Sequence, residues 1–154
     1  MASLAQRLSE AIALAAAAHS GQFDKSGRPY ILHPIRVMQS CEPHGEKAQI
    51  VAVLHDVVED TAVTFEDLRR AGFEDEIVAA VDAISHRTGV ETYFEYIERC
   101  ANNRIAALVK LADLEDNASP ARRFGRDFDS LLQRYERARR ILLDRLEIQV
   151  RKQP

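Results

Sequence analysis

The sequence is poor in cysteine and has no long hydrophobic run. Its two cysteines, Cys41 and Cys100, are far apart and form no C-x-x-C pair, which excludes a disulfide framework and a zinc knuckle. We expect two reduced thiols in the core. The apolar run Ala11–Ala18 is too short to cross a bilayer, and the first residues show no signal-peptide pattern. The sequence therefore predicts a cytoplasmic protein with no membrane partner.

Positive charge is not in excess either. The chain has 21 Lys and Arg against 24 Asp and Glu, a formal net charge of −3, which gives no global field for nucleic acid. A local group, Arg122, Arg123 and Arg126, could still hold a small anion. At 154 residues, 46% hydrophobic and 29% charged, the chain fits one compact domain. We assign it to residues 1–150, with a frayed tail at 151–154.

Helical signals run along the whole sequence, and no segment alternates convincingly at period two. Ser3 with Gln6 resembles a capping box, and Thr64 with Asp67 opens a later helix. We expect a short helix near Pro34, a longer one over about 46–60, and a last amphipathic helix over about 128–150. The prediction is an all-α domain of seven to eight helices.

One predicted core helix carries charged groups among apolar ones. In VAVLHDVVEDT, residues 51–61, the polar side chains recur four residues apart, in two adjacent rows. These side chains are His55, Asp56, Glu59 and Asp60. An unpaired carboxylate is very costly in a core, so the stripe predicts a polar cavity or a cation.

Two further segments extend this pattern. Asp113 lies among apolar residues of a later helix, with Asn117 one turn beyond it, and His33 precedes Pro34. Since proline biases the preceding residue towards an extended backbone, we expect His33 to project from a loop. Together, His33, His55, Asp56 and Asp113 offer two nitrogen and two oxygen ligands, which suit Mn²⁺, Fe²⁺ or a similar ion better than structural zinc. A His-Asp surface pair remains the alternative.

Three stretches together resemble a known family. AHSGQFDKSGRPYILHP, LHDVVEDT and VKLADLEDN are similar to motifs of the HD-domain phosphohydrolases of the RelA/SpoT type, above all the stand-alone small alarmone hydrolases. The resemblance implies an HD-domain helical bundle that binds one divalent ion, usually Mn²⁺, with Co²⁺ or Fe²⁺ also suitable. It implies removal of pyrophosphate from the 3′ position of (p)ppGpp, which leaves GDP or GTP.

The resemblance also implies roles for individual residues. His33, His55, Asp56 and Asp113 match metal ligands, and Glu59 and Asp60 match a catalytic pair that assists the water or the leaving group. Lys25, Asn117 and Tyr135 match positions beside the substrate. From the residues alone, Lys110 and Arg126 could neutralise phosphate charge, or lie solvated at the surface.

One position departs from the family pattern. Where alarmone hydrolases typically have an arginine that packs on guanine, this sequence has Asp24. We therefore expect a looser base preference, with (p)ppApp also a substrate, unless Asp24 pairs with Lys25 or Arg28 at the loop surface. Two other functions stay open: a phosphatase acting on another phosphorylated nucleotide, and a non-catalytic nucleotide sensor.

Overall fold

The computed structural model describes residues 2–122 and 127–151. Within them helices are joined by turns and loops, and one isolated bridge pairs Phe23 with Pro29. Helix α1 covers Leu4–Ala18, α2 Leu32–Ser40, α3 Glu46–Leu54, α4 Val57–Asp60, α5 Phe65–Arg70, α6 Asp75–Ile84, α7 Tyr93–Ala101, α8 Arg104–Ala118 and α9 Phe128–Arg151, with 3₁₀ turns at Glu42–His44 and Pro120–Arg122. The prediction of an all-α fold is confirmed.

Some predictions fall outside the described residues. Arg123 and Arg126 lie there, as does the predicted tail except for Arg151, which ends α9. Within the described part, no helix is both long and apolar enough to cross a membrane. The cytoplasmic location and the absence of a nucleic-acid partner stay predictions.

Helix α3 forms the centre of the fold. It packs against α1, α2, α6 and α8, and its residues from Ile50 to Leu54 have no exposed surface. A helix that is apolar on all sides is stable only when others surround it, which explains this central position. Its carboxyl end therefore delivers His55 to the interior. Cys41 and Cys100 are buried free thiols, as predicted.

The predicted helix over 46–60 is interrupted. Helix α3 ends at Leu54 and α4 begins at Val57, with Asp56 at φ −102° and ψ −3°. The imidazole Nδ1 of His55 lies 2.6 Å from the carbonyl oxygen of Ala52, while the backbone N–H of His55 reaches the same oxygen at 3.5 Å. A side chain that takes a helix carbonyl breaks the regular hydrogen-bond ladder. The prediction of one continuous helix was therefore wrong at His55 and Asp56, two of the predicted metal ligands.

The cap predictions were partly right. Ser3 accepts a hydrogen bond from the Gln6 N–H, but the Gln6 side chain donates to Glu10, so the reciprocal half of that capping box is missing. Thr64 and Asp67 form the complete box that the sequence predicts. Capping side chains satisfy N–H groups that a helix start leaves without intrahelical partners.

Candidate metal centre

The four predicted metal ligands come together from three parts of the fold. His33 lies in α2, His55 and Asp56 form the junction between α3 and α4, and Asp113 lies in α8. His33 Nε2 is 3.0 Å from Asp113 Oδ1, and His55 Nε2 is 3.0 Å from Asp56 Oδ2. The ligand atoms of His33, His55 and Asp56 all lie within 4.8 Å of one another. This arrangement is compact enough for a single ion.

His33 does not project from a loop, which corrects the prediction. It lies in the first turn of α2, whose helix begins at Leu32. Pro34 is tolerated there because the first N–H groups of a helix have no intrahelical acceptor, so the missing proline N–H costs nothing. The helix buries the His33 side chain to 2% exposure and fixes its direction.

Both imidazoles are held by their Nδ1 atoms. His33 Nδ1 lies 2.6 Å from Asp116 Oδ2, and His55 Nδ1 lies 2.6 Å from the carbonyl oxygen of Ala52. Since a carbonyl oxygen can only accept, Nδ1 of His55 carries a proton, and Nε2 is the ring nitrogen that faces the carboxylates of Asp56 and Asp113. That Nε2 is buried and has no hydrogen-bond partner. The donor set thus fits a divalent cation, which would satisfy the orphaned nitrogen and balance the carboxylates.

Asp113 is kept ionised in a buried position. Burial would raise its pKa, but the ammonium of Lys110, 2.7 Å from Oδ2, and the two histidines hold the pKa well below its usual range. Asn117 donates to Oδ1 at 2.9 Å. Lys110 is largely buried rather than solvated, and its charge is engaged by Asp113. The site thus holds a carboxylate in the form that binds metal.

Two residues that the sequence did not predict support the candidate ligands. The Tyr30 hydroxyl donates to Asp56 Oδ2 at 2.6 Å. Asp116 receives both Nε and an Nη of Arg36, at 2.7 and 3.0 Å, besides its contact with His33. Although burial opposes ionisation, the hydrogen bonds from His33 and Arg36 lower the pKa of Asp116. Each of the two lies three residues from a predicted ligand, and this spacing was the signal in the sequence. The signal is weak, because every turn of a helix places some residue at that spacing.

The contact between Asp116 and His33 gives a testable prediction. In Asp116→Asn the amide cannot supply the charge that orients the imidazole, so we expect metal affinity to fall by about 10–100-fold. Competition with a chelator measures this. Glu115→Gln, at the exposed neighbouring position of α8, is the matched control. Equal affinities in the two variants would show that Asp116 does not support the centre.

Glu59 and Asp60 lie one turn beyond the ligand pair, at the solvent side of the site. The backbone N–H of His86 donates to Glu59 Oε2 at 3.1 Å. Removal of water by the surrounding protein raises the pKa of both carboxyls, and the Asp56 charge adds to this. Glu59 lines the 310 Å³ cavity that also contains the four candidate ligands. Asp60 does not line that cavity, and its backbone carbonyl accepts from Gln22 at 2.9 Å.

A second cavity adjoins the first. It has a volume of 270 Å³ and contains the three predicted substrate-contact residues, Lys25, Asn117 and Tyr135. Tyr30 and Asn117 line both cavities, so the two are contiguous. We call the second cavity the cleft. Residues more than a hundred positions apart thus meet beside the candidate metal centre.

The Asp24 side chain makes its hydrogen bonds within its own loop. Its Oδ1 accepts hydrogen bonds from the Ser26 N–H at 2.9 Å, the Ser26 hydroxyl at 2.7 Å and the Arg28 N–H at 3.0 Å. The Ser26 hydroxyl and the Arg28 N–H lower the pKa of Asp24 to about 2. This geometry supports the alternative in which Asp24 pairs locally near Arg28.

The chain is similar to known proteins along most of its length. The guanosine-3′,5′-bis(diphosphate) 3′-pyrophosphohydrolase of Haemophilus influenzae is 34% identical over 143 residues, covering 85% of this chain and 20% of that protein. The bifunctional (p)ppGpp synthase/hydrolase SpoT of Escherichia coli is 31% identical over 157 residues, covering 93% and 21%. This chain therefore spans about a fifth of the length of these curated relatives.

A solved structure and a family model agree with this likeness. The structure is that of a metazoan ortholog of SpoT that hydrolyzes ppGpp; it matches with a TM-score of 0.70 and 27% identity, covering 91% of this chain and 85% of that one. A family model described as an HD domain matches residues 11–108, which include three of the four candidate ligands. Families of this kind bind divalent metal, and the donor set described above fits such an ion. The chain therefore belongs to the HD-domain family.

Proposed function

We propose that this protein is a metal-dependent 3′-pyrophosphohydrolase of hyperphosphorylated nucleotides. It would act on (p)ppGpp-like substrates and their adenine counterparts, releasing pyrophosphate and the nucleoside 5′-diphosphate or triphosphate. We further propose one Mn²⁺ ion as the cofactor, held by His33, His55, Asp56 and Asp113.

The observation that carries this proposal is the contiguity of the two cavities. One contains the candidate ligands and Glu59, and the other contains Lys25 and Tyr135, with Tyr30 and Asn117 shared between them. A substrate with a reacting phosphoryl group and a separate nucleoside 5′-phosphate needs two adjoining compartments of this kind. The relatives whose names carry the 3′-pyrophosphohydrolase activity support the same substrate class.

A divalent ion in this centre would lower the pKa of a water molecule towards about 7 and polarise a phosphoryl oxygen. The chain's own groups do the rest. Glu59, with its raised pKa, can accept and return a proton at the mouth of the cavity. Asp60 would order water beside it. Lys25 would neutralise charge on the substrate's phosphates, and Asn117 would donate a hydrogen bond at the boundary of the cavities.

A phosphatase acting on another phosphorylated nucleotide is the second candidate. Asp24 favours it, because this carboxylate is committed to Ser26 and Arg28 and offers guanine no flat cation. A non-catalytic sensor is less favoured, since sensing does not need a proton-accepting carboxylate such as Glu59 next to a complete ligand set.

A panel of nucleotides tests the proposal. With Mn²⁺, we expect pyrophosphate and GDP from ppGpp, and turnover of ppApp at comparable kcat/KM, with the products resolved by ion-exchange chromatography. Lys25→Ala should raise KM. Lys47→Ala is the control, because the Lys47 ammonium pairs with Glu74 and Glu76 and lines neither cavity. Orthophosphate as the only phosphorus product would assign the phosphatase, and nucleotide binding without turnover would assign the sensor.

A further inference from the structure

The proposed function leaves open which group holds the base. The metal cavity contains the four candidate ligands and Glu59, so the proposed function places the reacting phosphate there. The cleft contains aromatic side chains, namely those of Phe23, Tyr30, Phe128 and Tyr135. If the phosphate occupies the first cavity, the nucleoside occupies the cleft.

Three of these rings are already engaged by the protein, and that of Phe128 is half-buried. The Tyr30 hydroxyl donates to Asp56, and its ring lies 5.1 Å from that of His19 and 5.9 Å from that of His33, measured between centroids. Tyr135 packs partly against the hydrophobic core. By contrast, the side chain of Phe23 is 65% exposed while it lines the cleft. Phe23 therefore has a large apolar surface available to a ligand.

The backbone holds Phe23 firmly in this position. The isolated bridge pairs Phe23 with Pro29, and hydrogen bonds lie on both sides of it: Asp24 N–H to Arg28 O at 2.8 Å and Tyr30 N–H to Gln22 O at 2.9 Å. The Asp24 carboxylate closes the same turn through Ser26. An exposed aromatic ring on a rigid turn loses little conformational entropy when a ligand stacks on it.

Single exposed apolar side chains are common on protein surfaces and need no explanation. Val90, at 82% exposure, is such a case and lines none of the cavities described above. Phe23 differs because it lines the same cavity as the cation Lys25, and that cavity adjoins the metal site. The position of the ring in a cleft beside the metal cavity, and not its exposure, indicates a ligand contact.

We infer that Phe23 is the platform on which the substrate's purine base stacks, and that Asp24 serves only to close the turn that presents it. This inference deepens the proposed function and rests on it. Every base has a π-face, so an aromatic platform is tolerant of base identity, whereas a hydrogen-bonding pocket is not. The cleft would therefore bind adenine and guanine with similar affinity, since stacking contacts only the flat face that both purines share.

Binding of the product nucleotides tests this inference directly. Affinities for GDP, ADP and ribose 5-phosphate are measured by isothermal titration calorimetry with the metal-loaded protein. In Phe23→Ala we expect GDP and ADP each to bind at least about 5-fold more weakly, with ribose 5-phosphate unchanged. Phe23→Trp should bind both nucleotides about as tightly as wild type, whereas Phe23→Leu should bind them as weakly as Phe23→Ala. Val90→Ala is the matched control, and thermal melts verify that each variant is folded.

The outcomes separate this inference from the proposed function. If Phe23→Ala binds GDP and ADP as tightly as wild type, or if wild type binds neither, the platform is wrong, whether or not pyrophosphate is released from ppGpp. If Phe23→Ala weakens both nucleotides but wild type releases no pyrophosphate, the platform stands and the proposed activity fails. In an active enzyme, Phe23→Ala should raise KM with little change in kcat, because stacking on the base is equal in ground and transition states.

Discussion

Replacing His55 by alanine should abolish metal binding and, with it, turnover. The Nε2 atom of His55 is buried and faces Asp56 and Asp113, and its Nδ1 is held by the Ala52 carbonyl, so alanine removes the nitrogen ligand at the α3–α4 junction. We expect metal content to fall from about one ion per chain to near zero, and kcat/KM to fall by at least ~10³-fold. Elemental analysis of the purified protein measures the first, and the ppGpp assay the second.

The control for this variant is His44→Ala. His44 is exposed in a 3₁₀ turn and does not line the metal cavity. Since His55 is buried, Asp56→Asn provides a second variant that keeps the shape of the site and should also lose metal. Equal metal content in His44→Ala and in both site variants would refute this assignment of the ligands.

Glu59→Gln should preserve the metal and lose the chemistry. Glutamine keeps an oxygen that can accept the hydrogen bond from the His86 N–H, now at 3.1 Å from Glu59, but it cannot accept a proton. We expect kcat to fall by about 10²–10⁴-fold with metal content unchanged. Steady-state kinetics alongside elemental analysis separates the two effects.

Glu42→Gln is the matched control for that experiment, because Glu42 is an exposed glutamate in the 3₁₀ turn and lies outside the metal cavity. If Glu59→Gln keeps a near-wild-type kcat, another group transfers the proton. Asp60 would be the next to test, although its side chain does not line the cavity.

The sequence predicted the helices well because periodicity and caps are local signals. Thr64 with Asp67 forms its box as expected. The interruption between α3 and α4 could not be predicted, because it depends on the His55 ring reaching the Ala52 carbonyl, a contact that exists only once the ring is turned away from solvent. Likewise, the bias that proline places on His33 was outweighed by the helix start at Leu32.

The residues of the candidate site likewise include some that the sequence predicted and some that it did not. Asp56 and Asp113 stood out because carboxylates among apolar neighbours are anomalous in any sequence. Tyr30 and Asp116 did not, since a tyrosine in a loop or an acid near a helix end is ordinary. Their roles arise from contacts between distant segments, such as Asp116 with His33, which no local pattern encodes.

The origin of the candidate ligands in three separate segments has a thermodynamic consequence. His33 comes from α2, His55 and Asp56 from the α3–α4 junction, and Asp113 from α8, so the donor set is assembled only in the native chain. An ion that binds the folded state and not the unfolded one adds its binding free energy to that of folding. Metal release and unfolding would then be linked equilibria, and the ion would act as a non-covalent cross-link between helices that the sequence holds eighty residues apart.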